Sequence, residues 1–252
     1  MHVSLVIPAY NEQDTIETVV RKQRESIESE LRRMQIAGRV EVFVANNASE
    51  DQTAMFAERA GANVIWAPER GYGAACLAAL QALPGETDVI VFVDADGSDD
   101  PGDIGALLEP ILRDEADFCV GSRVMGERLG MVEPGALTVP QRFGNRLATG
   151  LLRWRFGYPF TDLGPFRALR PSALHRLAMD DRNFGWTVQM QARAVALGMR
   201  TREVPVHYAH RKGRKSKISG DLRGSFWAGT IILRTLWRES IWVRKSRRSG
   251  EK

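Results

Sequence analysis

The chain has 252 residues, 44% of them hydrophobic and 26% charged, with a net charge of +4. It is long and apolar enough for one large domain with its own core, which excludes a disordered or fibrous protein. Two cysteines exclude a disulfide-stapled scaffold: Cys76, in an Ala/Leu-rich stretch, and Cys119, between Phe118 and Val120, are expected to be reduced core residues.

The opening Met-His-Val-Ser-Leu-Val-Ile-Pro carries no basic stretch ahead of a long apolar run. It predicts a first strand rather than a signal peptide, and with it a cytoplasmic protein. Strands are predicted at Val3–Ile7, Val40–Ala45, Asn63–Trp66, Val89–Val93 and Asp117–Val120. Helices are predicted from Gln13 to Met34, Gln52 to Ala60, Gly73 to Leu83 and Asp103 to Arg113. This alternation is the pattern of an α/β protein with a mostly parallel sheet and helices on both faces.

Each strand runs into a polar loop: Pro8-Ala9-Tyr10-Asn11-Glu12, then Asn46-Asn47-Ala48-Ser49, then Pro68 to Gly73, then the Asp94 cluster. Ligands of open α/β sheets bind at the carboxyl ends of the strands, so the four loops predict one cleft. Arg70-Gly71-Tyr72-Gly73 precedes a helix, where backbone N–H groups can approach a phosphate, although a plain strand-to-helix turn has the same composition.

Asp94-Ala95-Asp96 follows the apolar run Val89 to Val93, which predicts a strand buried on both faces. Two carboxylates one residue apart at a strand end form a hard oxygen site for Mg²⁺ or Mn²⁺ carrying a diphosphate. The alternative is an acidic turn in which Asp99, Asp100 and Asp103 complement the N-terminus of the next helix.

The segment from Val124 to Pro140, rich in Gly, Pro and Met, predicts a long functional loop. Beyond it, a helix over Arg142–Phe156, a turn at Asp162-Leu163-Gly164-Pro165, a helix over Asn183–Leu197 and a strand over Glu203–His207 complete the same domain. The expected organisation is one domain over 1–222, with halves 1–123 and 124–222, followed by a helix and basic tail over 223–252.

From Arg200 onward, 15 Lys or Arg face 4 Asp or Glu, whereas the preceding residues carry 20 against 27. This asymmetry predicts an anionic partner for the C-terminal part. Nucleic acid is not expected, because it would leave the Asp94 cluster and the four-loop cleft without a role. No run of about 20 apolar residues exists to span a bilayer. On a helix, Phe226, Thr230, Leu233, Trp237 and Ile241 would line one face, flanked by Trp227, Ile231, Leu236 and Trp242, with Arg223, Arg234, Arg238 and Lys245 opposite. Such a helix either lies on an anionic membrane, peripherally on its inner face, or packs on the domain.

The Pro8–Glu12, Asn47–Thr53 and Asp94–Ser98 loops occur in order with Gly121-Ser122-Arg123, Asp162 to Ala168, and Gly213 to Gly220. In this arrangement the chain resembles the family-2 glycosyltransferases, within them the dolichyl- or polyprenyl-phosphate sugar synthase-like branch, over about residues 3 to 235. The resemblance implies a single GT-A type domain that uses Mg²⁺ or Mn²⁺ to bind a nucleoside-diphosphate sugar and inverts the anomeric centre. Its acceptor would be a polyprenyl phosphate.

By motif, Pro8, Ala9, Tyr10 and Glu12 would line the nucleoside pocket, with Arg70, Gly71, Gly73 and Ala95 also on the donor. Asp94 and Asp96 would hold the ribose side and the metal, Asp96 as the direct ligand. Arg123 and Arg167 would stand near the donor diphosphate or acceptor phosphate, and Asp162 would either orient the acceptor or cap a helix. Arg211, Lys215, Ser216 and Lys217 would contact phosphates, and His210 the metal or a phosphate.

The chain departs from the family at Asn46, where Asp is usual. An amide matches the paired donor and acceptor of uracil or thymine better than the two donors of guanine, unless Asn46 merely turns the chain. Gln189 stands where relatives often carry an acid, and a glutamine cannot be a general base. A phosphate acceptor needs none; a soluble hydroxyl acceptor would need Asp162 in that role. A sugar-phosphate nucleotidyltransferase would share the fold, but a Gly-rich triphosphate loop would be expected after its first strand.

Overall fold

A computed structural model describes residues 1–212, 230 and 234–242. Seven strands form one sheet: β1 (His2–Ala9), β2 (Arg39–Asn46), β3 (Asn63–Trp66), β4 (Val89–Phe92), β5 (Phe118–Ser122), β6 (Arg167–Leu169) and β7 (Thr201–Pro205), in the order β3-β2-β1-β4-β6-β5-β7. All neighbouring pairs are parallel except those of β6, which runs antiparallel to both β4 and β5.

The central strands are largely apolar because helices cover both faces. Val3, Leu5 and Ile7 point to one side with Val42, Val44, Val89 and Val91, against helices α1 (Ile16–Arg33), α2 (Thr53–Arg59) and α4 (Ile104–Leu112). Val6, Phe43, Ile90 and Phe92 point to the other, against α3 (Tyr72–Gln81), α7 (Pro171–Leu177) and α8 (Trp186–Ala196). Both free cysteines are buried in these layers.

The structure corrects the sequence reading in two places. The Val124–Pro140 segment is not one open loop: it begins inside α5 (Arg123–Arg128), capped by Ser122, and Val132 bridges to Tyr208. It then enters α6 (Val139–Phe156), whose capping box at Thr138 and Gln141 starts the helix before Arg142. Strand β6 and helix α7 were not predicted; β6 is three residues long, too short to show a period.

For the C-terminal helix, described over 234–242, the sequence left a membrane-lying and a packed form open. Thr235, Leu236 and Glu239 are buried, Leu236 packing with Leu152, Val188 and Ala192, while Trp237 and Ile241 are exposed. This part of the helix therefore packs on the domain, with the predicted Trp237 and Ile241 ridge turned outward. Phe226, Trp227, Ile231, Leu233, Arg223 and Lys245 lie outside the described residues.

Candidate active site

Five strands, β1 to β5, point the same way, so their following loops meet at one sheet edge. Antiparallel β6 brings the loop before it, Asp162 to Phe166, to that edge, and β7 delivers His207 to Lys212 there. The cleft is thus built from seven loops, of which the antiparallel insertion supplies one that a purely parallel sheet would place at the far end.

At the end of β4, Asp94, Asp96 and Asp99 form a carboxylate cluster, with Asp94 N–H donating to Asp99 Oδ2 at 3.2 Å. Burial, then repulsion from Asp96 and Asp99, pushes the Asp94 carboxyl well above the usual range. Burial and Asp96 raise Asp99 to about 7. Asp96 accepts from Ser98 N–H at 2.9 Å through Oδ1, and its Oδ2 meets Arg211 Nε at 3.1 Å. The same guanidinium reaches Glu12 Oε1 at 2.6 Å, closing a bridge between the first and fourth loops. Burial works against the Arg211 charge, yet Asp96 and Glu12 hold its pKa above the ordinary value.

A cation is what this cluster calls for. Carboxylates crowded enough to raise one another's pKa gain from any positive charge placed among them, and the chain's own arginine already sits between Glu12 and Asp96. Among the described residues no three His, Cys, Asp or Glu side chains converge as a complete cage. Mg²⁺ or Mn²⁺ shared with a diphosphate needs only one or two protein carboxylates, so the donor set fits a metal that arrives with the nucleotide.

At the other end of the cleft, Arg123 and Asp162 form a buried fork: Nε and Nη2 each donate to the carboxylate at 2.8 Å, and Arg123 N–H adds a third bond at 2.8 Å. Burial opposes the Arg123 charge, but Asp162 more than offsets it and the pKa stays above the usual value. The guanidinium also lies over Tyr208, 5.0 Å from the ring centre. Asp162 is therefore an orienting carboxylate, and what it orients is Arg123. Glu203 is spent likewise, accepting from the N–H groups of Thr161 and Asp162.

Arg167 is corrected. Its side chain is buried, donates to the carbonyls of Gly164 and Thr187, and faces Phe118. Burial lowers its pKa to about 10. It ties the Asp162 loop to α8 instead of reaching phosphate, because strand alternation turns it into the core. Gln189 is buried as well: its Oε1 accepts from the N–H groups of Asp180 and Asp181 and its Nε2 donates to Glu239 Oε1 at 2.8 Å.

On the donor side Pro8 and Ala9 end β1, and Tyr10 carries the Arg70 guanidinium 3.7 Å above its ring. Asn46 Oδ1 accepts from Ser49 N–H at 3.1 Å, so its acceptor serves the turn and the base-matching argument loses that half. Asn47, not singled out in the sequence, staples the loops together: Nδ2 donates to Ala67 O and Oδ1 accepts from Gly71 N–H.

Gly71 and Gly73 admit the chain's own backbone. A Cβ on Gly71 would stand 2.1 Å from Arg182 O, one on Gly73 2.0 Å from Asp181 O, and Ala74 N–H donates to Arg182 O. The start of α3 is thus covered by the Asp181–Arg182 loop. Ala95 is buried beneath the cluster, its carbonyl accepting from Thr15 Oγ1 at 2.7 Å.

His210 is not brought to the carboxylates: its Nε2 lies 3.0 Å from Pro134 O. Lys215, Ser216 and Lys217 lie outside the described residues. Sequence reasoning gave Asp99 only a capping role, though its place after Asp-Ala-Asp was the available signal for the cluster.

A family model described as glycosyl transferase family 2 matches residues 4–177. An uncharacterized glycosyltransferase of Mycobacterium tuberculosis (strain H37Rv) is 34% identical over 228 residues, covering 90% of this chain and 94% of the relative. The undecaprenyl-phosphate mannosyltransferase of Micrococcus luteus is 29% identical over 239 residues, covering 89% and 90%. Among solved structures, glucosyl-3-phosphoglycerate synthase from Mycobacterium tuberculosis, in complex with Mn²⁺, UDP and glucosyl-3-phosphoglycerate, matches with a TM-score of 0.66 at 21% identity, covering 93% of this chain and 80% of that one.

Proposed function

The chain belongs to glycosyl transferase family 2, and from that premise we propose that it transfers a sugar, with inversion, from a nucleoside-diphosphate sugar to a polyprenyl phosphate at a membrane surface. The observation that carries the acceptor is the Arg123–Asp162 fork. An alcohol acceptor has to lose a proton to a base, but Asp162 and Glu203 have their oxygens engaged and Gln189 cannot serve. A phosphate monoester arrives already anionic, and a guanidinium held rigidly at the cleft suits it. Its oxygen forms the bond to the anomeric carbon as the bond from that carbon to the diphosphate breaks. The mannosyltransferase from Micrococcus luteus names the same acceptor class.

Asp96, with Asp94 beside it, would hold a Mg²⁺ or Mn²⁺ on the donor diphosphate. When bound, that ion supplies Lewis-acid neutralisation of the charge developing on the leaving group. Glu12 and Arg211 close the donor end, with Pro8, Ala9, Tyr10, Arg70 and Asn46 on the nucleoside side, and Arg123 positions the acceptor. By the family motif alone, Lys215, Ser216 and Lys217 would contact the phosphates. The donor is read as a uridine or thymidine diphosphate sugar rather than a guanosine one, in keeping with the UDP bound in the structurally similar synthase. Its acceptor also supports a second reading with a soluble acceptor. The site of action is read as the cytoplasmic face of the membrane; among the described residues no helix is long and apolar enough to cross it.

The test is nucleoside-diphosphate release from UDP-, dTDP- and GDP-sugars with Mg²⁺ or Mn²⁺, with and without polyprenyl phosphate in liposomes. Lipid-dependent release from one donor is expected; metal-dependent release that ignores the lipid would transfer the reading to a soluble acceptor. Asp96→Ala should abolish turnover while the melting temperature holds, because removing one of three crowded carboxylates relieves repulsion. Retention of more than about a tenth of the activity would remove Asp96 from the donor site.

A further inference from the structure

We infer that α6 is the element by which this protein docks on an anionic lipid surface. Its outward side is apolar to a degree the core does not explain: Val139, Phe143, Leu147 and Trp154 are all exposed, Phe143 at 71% and Trp154 at 82%. At about 3.6 residues per turn these four, with Gly150, fall within one quadrant of the helix. Arg142, Arg146 and Arg153, also exposed, line the adjoining side. The helix contains four arginines and no acidic residue.

An apolar ridge bordered by arginines is the composition of a helix lying in a bilayer interface, the aromatic and aliphatic side chains entering the acyl boundary and the guanidinium groups meeting lipid phosphates. Charge complementarity selects a lipid surface over a second copy of this chain. Two α6 faces brought together would oppose arginine to arginine, since among the described residues only Arg142 of these is ion-paired, with Glu127.

One described neighbour adjoins the face. The 234–242 helix is tied to α6 through Arg155, whose Nη2 donates to Ser240 O, and it exposes Trp237 at 69%. Arg244, Lys245, Arg247 and Arg248 follow in the sequence. The sequence left the C-terminal helix either on the membrane or packed on the domain; the structure gives the larger exposed apolar ridge to α6.

The inner side of α6 holds the acceptor end of the cleft. Asn145 donates to Thr161 O and accepts from Leu163 N–H, both at 2.9 Å, bracketing Asp162. A helix whose outer side rests on lipid headgroups would thereby hold the Arg123–Asp162 fork close to the surface from which a lipid phosphate emerges. The choice of lipid rests in part on the acceptor read above.

The experiment is co-sedimentation of the full chain with phosphatidylglycerol/phosphatidylcholine vesicles and with phosphatidylcholine alone, for wild type and the Phe143→Ser/Trp154→Ser double variant. Both residues are exposed, so the variant should melt within a few degrees of wild type. Expected is binding to anionic vesicles that weakens with salt and falls at least about tenfold in the variant, while transfer to a short-chain, water-soluble prenyl phosphate is unchanged. Equal partition of both proteins overturns the inference. So does a dimer, seen by light scattering, that the variant dissociates without loss of vesicle binding. Vesicle binding lost in the variant, with no prenyl phosphate ever glycosylated, would sink the acceptor reading and leave the docking face standing.

Discussion

Glu239 is fully buried, and its carboxylate answers the Arg193 guanidinium with an Nε–Oε2 distance of 2.6 Å. Gln189 completes the shell from α8, where relatives often carry an acid. A second carboxylate at 189 would repel Glu239, so in this chain the amide is a structural partner of the C-terminal helix. Removing Glu239 leaves Arg193 only the mostly exposed Asp180 as a counter-charge, Nη2–Oδ1 3.0 Å, and breaking a buried ion pair from one side costs up to roughly 3–5 kcal/mol. Glu239→Ala should lower the urea unfolding free energy by about that amount, and adding Arg193→Met should recover much of it. A loss under about 1 kcal/mol in the single variant would show the pair to be solvated. The acidic residue was visible in the sequence, but its burial was not. Glu239 sits between Arg238 and Ser240 in a basic stretch that looks exposed.

At the scale of elements, the start of α3 and the strap after β7 carry the two contacts most open to test. Gly73→Ala would drive a methyl against Asp181 O, and overpacking of this kind typically costs about 1–3 kcal/mol. Thermal unfolding should show the loss, and an unaltered melting temperature would mean that the Asp181–Arg182 loop moves aside freely. The strap is held near its origin by His207, whose Nδ1 lies 2.9 Å from Asp103 Oδ1. The Asp103 hydrogen bond raises the His207 pKa above 6.5. A group whose pKa is raised on folding contributes fully below its unfolded value, and that contribution fades as pH rises through the folded value. The stability gap between wild type and His207→Gln should therefore be largest below about pH 6.5 and shrink toward alkaline pH. A gap that widens with pH would reverse the assignment. Asp103 had been legible only as a helix-capping acid, because the histidine it meets lies 104 residues away.

At the scale of the whole molecule, β6 lies between β4 and β5 and pairs with both, so a strand from the second half of the chain is inserted among strands of the first. Residues 1–123 alone would present β4 and β5 without the strand that joins them. The protein should unfold in one cooperative transition by both circular dichroism and tryptophan fluorescence. Two separated transitions would mean that the halves fold independently.

The continuous apolar runs and the polar loops after them determined the layers and the cleft, because burial on both faces leaves its mark on the central parallel strands. The order of the motifs determined the family. Tertiary structure alone decided which charges are spent: Arg167 on carbonyls, Asp162 on Arg123, Asn46 on a turn and Glu239 on Arg193. It also decided which apolar side of α6 stays outside. Both depend on partners brought together across the fold, and a single strand or helix carries no record of what will pack against it.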